Sequence, residues 1–374
     1  MNLSKAPLLS YKTPFMGYAC EWSPFEDNKL AIATAQHFGI VGNGRQHVIR
    51  VNGLGGKAST QGKTASLSPI SEVGTQDLAL YNTKDGIYDV CWSELNENHL
   101  VSGCGDGTLR LWDMKSTTNP LRAYVGHNSE VYSVAWNLTS KNHFISGYLL
   151  CTFLTLFFLK KKIEKKFFYK KKKRVMGPNG EIMGSNAWGM LEYIYWTYWS
   201  LFLKKKGGVE KGGGEGSEGN KLTFYKINSK KKSKYNPNLI ATAACDLKIH
   251  LWDMRKIVKP WTTLSGHKYA VRKVRFSPHH QSQLLSVSYD MSTCLWDYLA
   301  LPNPLVARFT HHKEFAIGCG YNLFVPNLVA TTGWDNQCHI FTLPNSPSKT
   351  VPTSAIPETY KLNESKTDET ITKK

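Results

Sequence analysis

The chain has 374 residues, 41% of them hydrophobic and 12% aromatic, which suits one large β-rich core. Its formal charge of +19 is concentrated: residues 160–234 hold 20 Lys and Arg against six Glu and no Asp, so the basicity of that region does not mark the rest of the molecule as nucleic-acid binding. The eight cysteines (Cys20, Cys91, Cys104, Cys151, Cys245, Cys294, Cys319 and Cys338) form no Cys-x-x-Cys pair, and they read as free thiols of a reducing compartment rather than a disulfide or zinc framework. Residues 1–7 lack the apolar core of a secretory signal, which makes the cytosol the expected compartment.

In chain order, residues 1–16 read as an N-terminal extension. A strand-rich segment then runs from Gly17 to about Val51, followed by a Gly/Ser/Thr-rich stretch, 53–75, that reads as an exposed loop. A second segment spans about Tyr81 to Asp113. A third opens at Gly126-His127 and proceeds through Val131-Tyr132-Ser133-Val134-Ala135-Trp136 to Ile145-Ser146-Gly147, where its pattern stops. Residues 148–159 are apolar and lead into a Lys-rich run through Arg174. The strand pattern resumes at Asn238-Leu239-Ile240-Ala241-Thr242-Ala243 and continues through 266–297 and 311–342; the remaining 343–374, rich in Pro, Ser, Lys and Glu, read as a disordered tail.

Three of these segments carry one motif. Gly105-Asp106-Gly107-Thr108-Leu109-Arg110-Leu111-Trp112-Asp113 returns as Cys245-Asp246-Leu247-Lys248-Ile249-His250-Leu251-Trp252-Asp253 and as Tyr289-Asp290-Met291-Ser292-Thr293-Cys294-Leu295-Trp296-Asp297. Trp112 precedes His127 by 15 residues, as Trp252 precedes His267, and Asp246, Asp290 and Asp335 lie 44 and 45 residues apart. This period resembles that of WD repeats, each one four-stranded blade of an all-β propeller, and the length accommodates seven blades of ~40–45 residues plus extensions. The recurring His, Asp and Ser (His267 and Asp290, with a Ser and Trp296) read as a buried structural network rather than a catalytic triad, because a reactive site would not recur in every blade.

Residues 148–237 amount to nearly two blade lengths, and His127 to His267 spans 140 residues, about three repeats, so sequence has been replaced as much as inserted. Only Tyr193-Ile194-Tyr195-Trp196-Thr197-Tyr198-Trp199-Ser200 keeps the character of a blade strand. The flanking Lys/Phe/Leu/Tyr/Gly-rich tracts, 148–184 and 201–234, have the composition of A/T-rich non-coding DNA read as codons, as in a mis-spliced message. The expected architecture is therefore a propeller in two parts, 17–147 and 238–342, with blades three to five interrupted. Inside the interruption, the apolar runs 148–159 and 187–203 fall short of the ~20 residues of a spanning helix. The basic run Lys170-Lys171-Lys172-Lys173-Arg174 reads as a solvated charge block rather than a nuclear-localisation or nucleic-acid patch. The glycine clusters at 207–216 have no Gly-Lys-Ser/Thr after them, which argues against a phosphate-binding loop.

The local sequences are more specific than the repeat. Gly17-Tyr18-Ala19-Cys20-Glu21-Trp22-Ser23-Pro24-Phe25 and Leu30-Ala31-Ile32-Ala33-Thr34-Ala35-Gln36-His37-Phe38-Gly39-Ile40 closely resemble the first blade of the peroxisomal import receptors that read the type 2, N-terminal targeting signal (the peroxin-7 family). The resemblance continues through Asp85-Gly86-Ile87-Tyr88-Asp89-Val90-Cys91-Trp92-Ser93-Glu94, the stretch opening at His127, the stretch opening at Gly266-His267, and His311-His312-Lys313-Glu314-Phe315. Its most specific element is Gln36-His37 where a blade ordinarily has its Asp turn. The resemblance implies a receptor that is not an enzyme and needs neither cofactor nor metal. It implies a bound amphipathic helix on the top face of the propeller, with a basic residue near one end of the signal. In the family pattern, acidic positions matching Asp85 and Glu130 meet that cation, while Tyr18, Tyr88, Tyr132 and Phe315 line the groove for the apolar face. It also implies cargo proteins such as thiolase, a co-receptor and docking proteins as partners, no nucleic acid, no stable membrane insertion, and residence in the cytosol and peroxisome matrix. A competing expectation comes from Trp252-Asp253-Met254-Arg255, which matches the Trp-Asp-x-Arg box of WD-repeat substrate adaptors of cullin-type ubiquitin ligases.

Overall fold

A computed structural model of the chain describes residues 6–53, 73–116, 118–137, 141, 143–148, 175–176, 227–232, 235–236, 238–256 and 259–344. The first strand, β1 (Leu9–Lys12), is followed by a sheet of β2 (Met16–Trp22), β3 (Lys29–Ala35), β4 (Gly44–Asn52) and β5 (Gly74–Thr83). The second sheet is β6 (Ile87–Trp92), β7 (His99–Cys104), β8 (Thr108–Asp113) and β9 (Arg122–Val125); the third is β10 (Val131–Trp136), β11 (Phe144–Tyr148) and β12 (Val175–Met176). The fourth comprises β13 (Ile227–Lys232), β14 (Leu239–Ala244), β15 (Lys248–Asp253) and β16 (Thr262–Ser265), and the fifth β17 (Val271–Phe276), β18 (Gln283–Ser288), β19 (Thr293–Asp297) and β20 (Leu305–Phe309). The sixth sheet is β21 (Ala316–Tyr321), β22 (Leu328–Gly333) and β23 (Gln337–Thr342), with β1 paired antiparallel to β23 on its outer side. Among the described residues every pairing is antiparallel and, β1–β23 apart, joins strands consecutive in sequence, the meander of a WD-repeat propeller.

The first strands of the sheets pack side by side in the succession β10, β6, β2, β21, β17, β13. The second strands β3, β14, β18 and β22 are buried throughout and, after Lys29 and Gln283 at the starts of β3 and β18, read as apolar or small residues; the outer strands β5 and β9 alternate. The core lies between adjacent sheets: Ala31 and Val48 meet Val90, Trp92 and Trp112; Leu30 and Ile32 meet Leu328 and Ile340; Leu285 and Leu295 meet Val329 and Phe341.

The repeated Asp holds a tight turn. Asp106, Asp246, Asp290 and Asp335 each accept, through Oδ1, the backbone N–H two residues on (Thr108, Lys248, Ser292 and Gln337, at 2.9–3.2 Å). The intervening residue is left-handed in all four: Gly107 at φ 79°, Leu247 at 70°, Met291 at 63° and Asn336 at 59°. Only the first copy uses glycine, so in the others the Asp side chain has to hold a conformation that an L side chain disfavours. Between the sheets, His267 donates from Nδ1 to Asp290 (2.9 Å), its Nε2 is hydrogen-bonded to the Ser286 hydroxyl (2.7 Å), and Trp296 Nε1 donates to Ser286 (2.8 Å). The sixth sheet repeats this with His312, Asp335 and Thr331, and the second with Trp112, Ser102 and Gln46 of the first sheet.

Several pairings fall where the sequence pattern is silent. Residues 74–83 complete the first sheet, although the sequence pattern closes that segment near Val51 and opens the next near Tyr81; the partner of β5 is β4, from which the 53–72 stretch separates it. Residues 9–12, before the first repeat, join the last sheet through Leu9↔Ile340 to Lys12↔Gln337. Pairing resumes at Ile227, ahead of Asn238, and Val175 and Met176 pair with Ile145 and Phe144. The blade-like 193–200, the apolar, basic and glycine-rich runs between 149 and 226, and the tail from 345 onward lie outside the described residues. Among the described residues no helix is long and apolar enough to cross a membrane.

Candidate functional site

In each of the six inner strands the register with its neighbour slips near the start of the strand: between Gly17 and Ala19, Ile87 and Asp89, Val131 and Ser133, Ile227 and Ser229, Val271 and Lys273, and Ala316 and Gly318. The bulged residues are Tyr18, Tyr88, Tyr132, Asn228, Arg272 and Ile317. A bulge turns its side chain away from the regular alternation of the strand, and here it gathers aromatic groups from several blades at one end of the molecule.

Tyr88 and Tyr132 stack with centroids 4.6 Å apart and planes at 9°, and Tyr18 meets Tyr88 edge-on at 5.3 Å. Trp334 and Tyr289 come from the β22–β23 and β18–β19 turns. Trp334 lies 6.0 Å from Tyr18 and 5.3 Å from Phe315, and Tyr289 lies 5.0 Å from Phe315. The four aromatic residues singled out from the sequence thus belong to one cluster, built around Tyr18, Tyr88, Ala35 and Ile317. Sequence reasoning missed Arg272, Tyr289, Trp334 and Phe38. Superposing the repeats would have found three of them: Arg272 occupies the bulge position of Tyr132, and Tyr289 and Trp334 each stand just before the Asp of a turn.

Asp85 and Glu130 stand in the loops that enter β6 and β10, both half-buried. Asp85 Oδ1 accepts the Gly86 N–H at 2.7 Å and its carbonyl accepts the Thr83 hydroxyl at 2.5 Å; Glu130 accepts the Ser129 hydroxyl. Burial, then Tyr132, then the Asp85 carboxylate, with smaller effects from Tyr18 and Glu130, pushes the Tyr88 phenol above its ordinary range. Burial and Glu130 likewise raise Tyr132, while the Arg272 guanidinium acts in the opposite sense. The Tyr18 hydroxyl and the Trp334 indole N–H are buried without a well-formed hydrogen bond among the described residues. Below the mouth, Lys273 pairs with Asp89 at 3.1 Å and Arg275 with Glu21 at 3.9 Å, tying the fifth sheet to the second and first.

His312, Asp335 and His339 bring donor atoms within 4.8 Å of one another. Their arrangement is nevertheless that of the repeat. Asp335 also accepts Lys313 N and Gln337 N, and His339 stands four residues after it, as Arg110 does after Asp106 and His250 after Asp246. A guanidinium can fill that place, so its role is to face the turn carboxylate rather than to ligate an ion.

The WD domain, G-beta repeat, family profile matches residues 75–113 and 258–297. The peroxisomal targeting signal 2 receptor of Dictyostelium discoideum is 32% identical over 317 residues, covering 84% of this chain and 91% of that protein. Peroxisome biogenesis protein 7 of Arabidopsis thaliana is 34% identical over 333 residues (88% and 96%), and the targeting signal 2 receptor of Mus musculus 33% over 338 residues (87% and 93%). An all-β WD-repeat propeller that shares a third of its residues with these proteins over nearly their whole length belongs to the family of peroxisomal targeting signal 2 receptors.

Proposed function

We propose that the chain is an import receptor that binds the N-terminal type 2 targeting signal of cargo proteins at the mouth formed by the bulged ends of its inner strands. The observation that carries this reading is the joining of the half-buried rings of Tyr132, Phe315 and Trp334 around the buried Tyr18 and Tyr88, with Asp85 and Glu130 half-buried in the loops that enter β6 and β10. Such a surface offers an amphipathic helix an apolar floor and its cation a partially desolvated carboxylate, the combination in which a charge-assisted hydrogen bond gains most. The receptor works by binding alone, without a reaction of its own. It delivers cargo such as thiolase, with a co-receptor and docking proteins, from the cytosol to the peroxisome matrix. The ubiquitin-ligase adaptor reading gains no support: Arg255 of its Trp-Asp-x-Arg box is folded back onto Asp253, with Nε and Nη2 at 3.0 and 2.8 Å from the carboxylate oxygens. The direct test is fluorescence anisotropy of a labelled type 2 signal peptide against the full chain. Saturable binding that is lost when the basic residue of the peptide becomes Glu supports the reading; equal binding of both peptides rejects it.

A further inference from the structure

Five turns joining a second to a third strand are described, and four close on the Asp turn. The fifth, between β3 and β4, takes eight residues, 36–43, closed by Gln36: its N–H donates to the Asn43 carbonyl (2.9 Å) and its Oε1 accepts the Asn43 N–H (2.8 Å). Inside it His37 and Phe38 are left-handed in succession, at φ 44° and 58°, before Gly39 at 69°. Two adjacent non-glycine residues in that region are held only by an environment that over-determines them. That environment is the mouth itself. The Tyr88 hydroxyl donates to the Gly39 carbonyl, the Phe38 ring meets Trp334 edge-on at 5.1 Å, and a Cβ on Gly39 would lie 2.6 Å from the Tyr88 ring and 2.8 Å from the Tyr18 hydroxyl.

The consequence is an apolar lip. Phe38 is 53% exposed, Ile40 84% and Val41 66%, three large apolar side chains within four residues at the edge of the aromatic floor. The fold does not require them, since the same strand connection is made elsewhere with a short Asp turn. Gly44, just past this turn, packs against the Asp85 carbonyl, so the turn and the loop that enters β6 are neighbours. We infer that Phe38, Ile40 and Val41 contact the apolar face of the bound signal helix and determine specificity: the carboxylates recognise a cation, and the lip rejects basic peptides that lack an apolar face. This rests on the receptor reading above. It adds that discrimination between amphipathic and merely basic peptides resides in one turn.

The test compares two labelled peptides, a type 2 signal and the same peptide with its apolar-face residues changed to Ser and its cation kept, on the full chain and on two variants, I40S/V41S and F38S/I40S/V41S. The first variant changes only strongly exposed side chains, so folding is not at stake. The wild-type chain is expected to prefer the intact signal; the triple variant is expected to lose roughly tenfold or more in affinity for it, with the double variant intermediate. Binding of the Ser-substituted peptide should be the same in all three. Undiminished preference for the intact signal in both variants overturns the lip. Failure of the wild-type chain to bind either peptide overturns the receptor reading and the lip with it.

Discussion

The polar network of the fifth sheet and the aromatic mouth are built from neighbouring segments of the same repeat but are organised differently. At the network, His267, Asp290, Ser286 and Trp296 satisfy one another, and Asp290 also accepts Lys268 N (2.8 Å), Ser292 N (3.1 Å) and the Ser292 hydroxyl (2.6 Å). Burial opposes the charge on His267, but its contacts with Asp290 and Cys294 together outweigh that and raise the imidazole to about 9. At the mouth, Tyr289 stands one residue before that Asp, yet its ring is half-buried against Phe315 and Trp334, and nearby polar atoms of Tyr18 and Trp334 lack well-formed partners. The polar groups of the network pair with one another inside the fold, whereas at the mouth the rings of Tyr132, Tyr289, Phe315 and Trp334 stay partly exposed.

That contrast fails if mutations in the two regions have the same effect. Asp290→Ala removes the acceptor of a buried imidazole and of two backbone N–H groups, and is expected to cost about 3–5 kcal/mol of stability in chemical denaturation, with the signal affinity of the remaining folded protein unchanged. His47, on β4, carries a second buried imidazole. Burial, assisted by Arg45, lowers its pKa from 6.5 to about 4. The folded chain holds it neutral while the unfolded chain takes up a proton below about pH 6.5, so its contribution is present above that pH and is lost as pH falls toward 4. The expected loss is on the order of 3 kcal/mol; a stability-pH profile of His47→Gln should be flatter over the same window, and parallel profiles would contradict the assignment. Asp85→Asn and Glu130→Gln should each weaken signal-peptide binding by about 1.5–3 kcal/mol, leaving the thermal midpoint within a degree or two of wild type. The smallest effect belongs to Tyr88→Phe. Losing the hydroxyl that holds the Gly39 carbonyl should cost about 1 kcal/mol or less, visible as faster amide exchange in the 36–43 turn before it shows in global stability.

The Asp turns, the Trp-Asp strands and the His-Asp-Ser network could be read from the sequence because each is a local motif with fixed spacing. The four aromatic residues and two carboxylates came instead from family resemblance, and only the structure relates them to one another, through a bulge that no single strand announces. Arg272 holds in β17 the bulge position that Tyr132 holds in β10, a correspondence between strands that its own stretch, Val271-Arg272-Lys273-Val274-Arg275, does not show. The strand at 9–12 has only four residues and pairs with β23 some 330 positions away, a non-local partnership that pattern cannot supply. The β13 strand, Ile227–Lys232, ends in three lysines; its pairing is carried by the backbone, Lys230 facing Thr242 and Lys231 facing Ala241.

The central claim is that the mouth holds the basic residue of the signal against Asp85 and Glu130. A double-mutant cycle measures it directly: affinity of the type 2 signal peptide and of its Arg-to-Gln counterpart for the wild-type chain and for Glu130→Gln, repeated with Asp85→Asn. The account predicts a coupling of about 1 kcal/mol or more for at least one carboxylate, weakening as salt rises. Additive effects for both, with no coupling between carboxylate and cation, would contradict it.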